Sequence, residues 1–247
     1  MGTTHACTGV LAGVVVAAVF GAHPSDLFIS AAVGAGAALL PDLDSPESTV
    51  GRSLGPVSGA VSWALSGLSA VVFRASGTDR DRRSGVDGRH RALTHVLPSC
   101  FVFGVVAGVL SLWPLGLGLV AGGLAALGIS TIWREISEAT AREARATATV
   151  LAVLLAGIAV WLPGGAPWLV GITVAVGALT HVLGDWLTYS GVPLTWPLVV
   201  GGQRWRRYRS PIPVATNPDS VAEAWVRRGS LIVAGGVAVL SEVPLPL

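Results

Sequence analysis

Eight stretches of the chain, at about 6–22, 27–41, 56–73, 93–112, 114–132, 147–162, 167–187 and 230–240, hold one aspartate and no arginine between them. Apolar runs of this length and number are what a bilayer imposes, because a spanning helix needs about 20 predominantly apolar residues. Only 12% of the chain is charged and 52% is hydrophobic, against roughly 25% charged in soluble domains. Several runs fall short of a full span, and glycine and alanine are abundant within them. That favours a compact bundle of short, closely packed helices in a locally thinned bilayer. Pro24, Pro114, Pro163 and Pro167 punctuate the turns. No basic residue precedes the first run, so it reads as a permanent helix and not a cleaved signal. Cys7 and Cys100 both lie in apolar runs and read as small buried hydrophobes.

The loops are of two kinds. Gly21 to Asp26, Trp113-Pro114 and Leu162 to Pro167 contain no arginine, while the other loops carry Arg52, Arg74 to Arg91, Arg134 to Arg145, Arg204 to Arg209 and Arg227-Arg228. The positive-inside rule puts the arginine-bearing set on the cytoplasmic side. Parity then decides the run at 56–73. If it spans, the arginines divide between the two faces; if it does not, all fall on one. Its Ser58, Ser62, Ser66 and Ser69 recur at helical spacing and give it a weakly polar stripe. The expectation is an all-α integral membrane protein: a bundle of about six short transmembrane helices plus an interfacial or re-entrant helix. The membrane-embedded domain occupies 1–200, and 201–247 forms a basic juxtamembrane segment with a C-terminal apolar helix. Arg134 to Arg145 alternates acids and bases and reads as a solvated helix. The basic and aromatic run from Gly201 to Arg209 reads as an anchor to anionic headgroups, with no nucleic acid expected.

Ionisable residues gather near the run ends that share the arginine-bearing side. His181 and Asp185, four apart, share one helical face and suit two ligands of one metal; a local His–Asp hydrogen bond fits the same spacing. Asp42 and Asp44 stand between Pro41 and Pro46, and an extended backbone there points both carboxylates the same way. An Asx-type turn closing the helix is the alternative. His90 falls in a loop and His95 in the first turns of the next helix. His5, His95 and His181 each follow a threonine, whose hydroxyl would orient a ring nitrogen or cap a helix. His23, in an arginine-free loop, reads as a solvated histidine. His and Asp from four separated segments at one face form a metal-site pattern, and their mixture favours zinc or manganese over a thiolate-bound metal. Arg52 and Arg91 fit either a phosphate-bearing substrate or plain topology.

The stretches Thr4-His5 with Gly9, Leu40 to Pro46 with Gly51-Arg52, His90 to His95, and His181 to Thr188 with Gly191 and Trp196-Pro197 occur in one order from residue 4 to about 198. In these stretches the chain resembles the bacterial membrane-bound metal-dependent hydrolases, the YdjM-like proteins. Ala92 departs from the glycine more frequent there. The resemblance implies that His5, Asp42, Asp44, His90, His95, His181 and Asp185 are metal ligands or their close partners. It also implies a multi-pass protein of the bacterial inner membrane.

The resulting expectation is a metal-dependent hydrolase at the cytoplasmic membrane face. Bound zinc or manganese would acidify a water, with Asp44 taking its proton and Arg52 and Arg91 holding a phosphate. The natural substrate is a phospholipid or lipid-linked phosphoester. The alternatives are a membrane regulator or scaffold with a structural metal, and an ion or proton transporter. Transport predicts ionisable residues at mid-span, whereas here they cluster at one end.

Overall fold

The computed structural model describes residues 1–137, 140–212 and 220–242. Among them the regular elements are helical: α1 (Gly2–Phe20), α2 (Pro24–Ala37), α3 (Pro56–Ser76), α4 (Asp79–Arg82), α5 (Leu97–Leu110), α6 (Pro114–Ile136), α7 (Ala141–Trp161), α8 (Pro167–Trp186) and α9 (Val221–Glu242). Two 3-10 turns, Pro41–Asp44 and Leu93–His95, complete them. By length and composition seven segments are long and apolar enough to cross a membrane: α1, α2 with the turn that follows it, α3, α6, α7, α8 and α9. α5 is apolar but has only 14 residues. Pro24, Pro56, Pro114 and Pro167 each open a helix, where the missing N–H has no intrahelical partner to lose.

The helices pack mainly as α1 on α2, α8 and α9, α2 on α6 and α8, α5 on α8, and α6 on α7. Small residues allow this. A β-carbon on Gly9 or Gly13 would collide with the backbone of α2, and one on Gly104 would lie 2.6 Å from the carbonyl of Gly171. Without water to drive association, such backbone contact lets dispersion forces hold the helices together. The densest apolar layer, around Ile29, Val33, Leu117, Val170 and Val174, lies between α2, α6 and α8.

Chain direction brings one end of the bundle to prominence. α1, α5, α7 and α9 begin there, and α2, α6 and α8 end there. Cross-links at this end include Thr3 Oγ1 to Glu135 at 3.3 Å, Thr4 Oγ1 to Glu223 at 2.9 Å, and Arg227 to Glu135 at 3.2 Å. At the opposite end, buried Asp26 accepts from the N–H groups of Ala22, His23 and Gly165 at 2.7 to 3.0 Å. His23 is exposed there at the N-cap of α2.

α3 meets the length and hydropathy of a span, yet its main packing partners are the two 3-10 turns at the ligand-bearing end. Ser58, Ser62, Ser66 and Ser69 are buried, while Trp63 and Val71 face outward. Ser69 Oγ donates to Gly88 O at 2.6 Å and accepts from Leu93 N at 3.1 Å. At the C-terminal end of the helix, Ser76 Oγ accepts from the indole of Trp205 at 3.1 Å. Contacts along the helix therefore return to the same end of the bundle, as expected of an interfacial helix. The polar stripe turns toward protein, since hydrocarbon outside offers its hydroxyls no partner.

Three local expectations are corrected. Asp42 and Asp44 lie on a 3-10 turn and not on an extended strand, because Pro41 takes the first helical position and presets its φ. The two carboxylates therefore diverge. His95 precedes α5 in its own short turn, since Pro98 in the first turn of α5 has no N–H to carry the helix backward through His95. Arg134 to Arg145 is not one helix: α6 ends at Ile136, and Thr140 starts α7 by accepting from Glu143 N while Glu143 accepts from Thr140 N at 2.9 Å.

The run 201–209 is also more than a surface anchor. Val192 and Tyr208 exchange backbone hydrogen bonds at 3.0 and 2.9 Å, folding 192–208 into a strap. Buried Trp205 packs against Phe73 and Trp196. Asp81, itself buried, accepts from the N–H groups of Arg204 and Trp205 at 2.9 and 3.2 Å and from Thr78. Burial pushes its carboxyl up, but these donors outweigh it and hold the pKa below the ordinary value. Its stabilisation is complete at neutral pH and is lost only as acid protonates the folded form. Asp81→Ala should free the strap at a cost of about 2–3 kcal/mol, seen as faster proteolysis near Gly201-Gly202. Unchanged protease resistance would mean that the strap is held elsewhere.

Candidate metal centre

The seven residues singled out from the sequence converge. His5 comes from the second turn of α1, Asp42 and Asp44 from the turn after α2, His90 and His95 from the segment before α5, and His181 and Asp185 from the last turns of α8. His5, Asp44, His95, His181 and Asp185 are buried; the side chains of Asp42 and His90 are 20% and 42% exposed. That exposure marks the open side of the cluster.

Four donor atoms lie close to one another around the two buried imidazoles. His95 Nε2 and His181 Nε2 are 3.3 Å apart. Asp185 Oδ2 lies 3.4 Å from the first and 3.7 Å from the second. Asp42 Oδ1 lies 3.8 and 3.6 Å from the same two nitrogens. A tetrahedral ion with bonds of about 2.0–2.2 Å has ligand–ligand edges of roughly 3.3–3.6 Å. Three of the five distances fall in that range and two, 3.7 and 3.8 Å, lie just beyond it, with Asp42 the most exposed corner. Asp185 Oδ2 is buried; Arg91 Nε stands 3.0 Å from it as an ion pair, without the geometry of a hydrogen bond. Two trios, His5 with His181 and Asp185, and Asp42 with His90 and His95, also bring one donor atom from each residue within 4.8 Å of one another.

The surroundings fix the orientations. His181 Nδ1 donates to Ala38 O at 2.7 Å, which leaves the Nε2 lone pair facing the centre. Thr94 Oγ1 donates to Asp44 Oδ2 at 2.6 Å, and its lone pair meets His95 Nδ1 at 2.9 Å. His5 stacks on His181 with centroids 4.0 Å apart and holds its Nε2 3.5 Å from Asp185 Oδ1. His90 Nδ1 bonds Asp44 Oδ1 at 2.6 Å, which leaves its other nitrogen for the open side. Burial opposes a charge on His95, yet three carboxylates around the ring win and raise its pKa well above the ordinary value. A proton held there would offset part of the charge of the three carboxylates. A divalent cation would take over that role, releasing the proton as it binds.

Both flagged arginines are engaged. Arg91 grips Asp185 with two nitrogens, Nε to Oδ2 at 3.0 Å and Nη2 to Oδ1 at 3.1 Å, and its Nη1 reaches Thr188 at 3.2 Å. Its own backbone is left-handed, φ 55°, and its N–H donates to Asp44 Oδ2 at 3.2 Å. The left-handed position thus falls on Arg91, while Ala92 has φ −123°. Arg52 pairs at 3.2 Å with exposed Glu47.

Of the three threonine–histidine pairs, only Thr94 orients the ring that follows it. Thr4 bonds Glu223, and Thr180 bonds the carbonyl of Gly177 within its own helix. Groups to which the sequence assigned no role in the site are the Ala38 carbonyl, Thr188, and Arg207, whose Nη2 donates to His90 O at 3.1 Å. The carbonyl has no sequence signature. Thr188, three residues after Asp185, was visible as a helix-end hydroxyl. Cys7 and Cys100 are buried free thiols on separate helices, outside the cluster.

No curated protein and no solved structure matches the chain. The family described as YdjM inner membrane protein matches over residues 1–137 and 144–241, a range that includes every residue of the cluster. The chain belongs to the YdjM inner membrane protein family.

Proposed function

We propose that the chain is a metal-dependent hydrolase of the inner membrane, acting at the cytoplasmic face on a phosphoester carried by a lipid. The observation that carries this reading is the approach of Asp42 and Asp185 to the Nε2 atoms of His95 and His181, with five distances of 3.3 to 3.8 Å among two imidazoles and two carboxylates and no thiol. That donor set suits zinc or manganese. His95, His181 and Asp185 would hold the ion from the buried side, and Asp42 from the open side. An ion held there supplies Lewis acidity, acidifying water and polarising a phosphoryl oxygen.

The chain's own groups divide the remaining work. Asp44, bonded to His90 and Thr94, is the proton acceptor, with His90 passing the proton toward solvent. Arg91 holds Asp185 in its ligating orientation. Arg207 at the mouth, with Arg52 farther out, meets the substrate phosphate. His5 walls the back of the centre.

The test uses protein loaded with zinc or manganese in nanodiscs, offered phosphatidic acid, phosphatidylglycerol and a bis-aryl phosphate. Asp44→Asn should lower turnover by about 10²–10⁴-fold while metal content holds. Failure of the wild type to hydrolyse any of them, with metal bound, would leave the centre a structural tie between helix ends.

The cytoplasmic placement rests on the positive-inside rule, since every arginine lies in the segments at the ligand-bearing end. Single cysteines at Ser84 and Ser137, in a chain lacking Cys7 and Cys100, should resist an impermeant thiol reagent in intact cells. One at Ala22, exposed at the other end, should react. The reverse pattern would invert the topology.

A further inference from the structure

A cavity of about 940 Å³ lies between α3, α5 and α6 beside the centre. Val57, Val61, Leu65 and Leu68, one face of α3 at helical spacing, form its outer wall. Across from them stand Val106 of α5 and Leu124 of α6. None of the residues that line it is charged. Several, including Val57, Val61 and Val106, are exposed, so the cavity opens sideways from the bundle. In a membrane protein that opening meets hydrocarbon.

The inner end is different. Thr94 lines the cavity with its carbon skeleton, and its hydroxyl is bonded to Asp44 and His95. One side chain therefore separates the apolar space from the ligand cluster. Trp196 also lines the cavity, and its indole N–H is buried without a hydrogen-bond partner among the described residues. The hydroxyls of Ser58, Thr94 and Ser99, which line it too, are already spent on the protein. A buried N–H left unpaired is costly unless something brings an acceptor.

A second cavity, of about 370 Å³ between α1, α8 and α9, touches His5 but is also lined by buried Glu223. That carboxylate disfavours an anionic guest. The larger cavity asks for the opposite of a soluble ligand: a long uncharged body, one acceptor oxygen near its end, and a head able to approach cations. We propose that it holds a hydrocarbon chain of an anionic phospholipid, with Trp196 donating to an oxygen of the head region and the phosphate directed to the centre. This deepens the hydrolase reading and rests on it for the placing of the head.

The test is photo-crosslinking of the full chain in nanodiscs, with phosphatidic acid carrying a diazirine at the end of one acyl chain. In the wild type, adducts should map to cavity residues such as Val106 and Leu124. Gly123 also lines this cavity, and a β-carbon there would meet nothing within 4 Å, so Gly123→Phe fills the space without a backbone clash. It should cut those adducts at least about fivefold. Gly157 is equally open but lies outside this cavity, and Gly157→Phe should leave them unchanged. Trp196→Phe should weaken lipid retention by about fivefold, the worth of one hydrogen bond. Diacylglycerol with the same diazirine, lacking phosphate, should label the cavity far less.

Undiminished adducts in Gly123→Phe, or equal labelling by diacylglycerol, would overturn the proposal. Crosslinking reads binding without turnover, so the two readings fail separately. Cavity adducts in a protein that hydrolyses nothing would sink hydrolysis alone. Hydrolysis with wild-type labelling of Gly123→Phe would sink the cavity assignment alone.

Discussion

Asp185→Ala should both abolish metal binding at the proposed centre and destabilise the protein. The carboxylate is one corner of the donor set and also the partner of Arg91, whose side chain is only 14% exposed. Truncation leaves that guanidinium buried against Thr188 alone, and breaking a buried pair from one side costs about 3–5 kcal/mol. Metal content after purification should fall to background, and the thermal midpoint should drop even in metal-free samples. Asp185→Asn keeps the shape and separates the two effects: metal should still be lost, with a smaller loss of stability. Full metal occupancy in either variant would remove Asp185 from the centre.

Thr94→Val probes the layer around the ligands. Valine keeps the volume of threonine and deletes one hydroxyl, so packing stays while both hydrogen bonds go. His95 Nδ1 then loses its 2.9 Å partner and keeps only the more distant Asp44 Oδ2 at 3.5 Å, an oxygen that retains the Arg91 N–H at 3.2 Å. Orienting groups of this kind are worth 10–100-fold in metal affinity. A competition titration against a chelator should show that drop, while Thr180→Val, whose hydroxyl bonds only its own helix, should titrate like the wild type. Equal affinities in the two variants would mean that His95 is held by packing alone.

The helical architecture was legible because membrane helices declare themselves by composition. α3 was the informative case. By hydropathy it passes as a span, and only its serine stripe and the parity of the arginine loops argued otherwise. The cluster's membership was legible for a related reason. Ionisable residues at the ends of apolar runs are rare enough that seven at one predicted face point to a shared site.

Geometry was less legible. Asp42 and Asp44 looked like a matched pair from the sequence, but the 3-10 turn sends Asp42 to His95 and His181 and Asp44 to His90 and Thr94. Arg91 looked like a phosphate clamp and is instead found gripping Asp185. Arg204 and Trp205 looked like an interfacial belt, whereas Asp81, more than a hundred residues earlier in the chain, draws their backbone inward. Such long-range pairings leave no periodicity behind, so pattern reading had nothing to find.

X-ray absorption at the metal edge, on the full chain loaded with one equivalent of zinc, tests the central claim most directly. One tightly held ion per chain is expected, with nitrogen and oxygen neighbours at about 2.0–2.1 Å and no sulfur. An imidazole scattering pattern is also expected, which His95→Ala and His181→Ala each diminish and which His23→Ala leaves intact. A sulfur shell near 2.3 Å, or zinc that washes off the wild type as readily as it does from the His181→Ala variant, would contradict that claim.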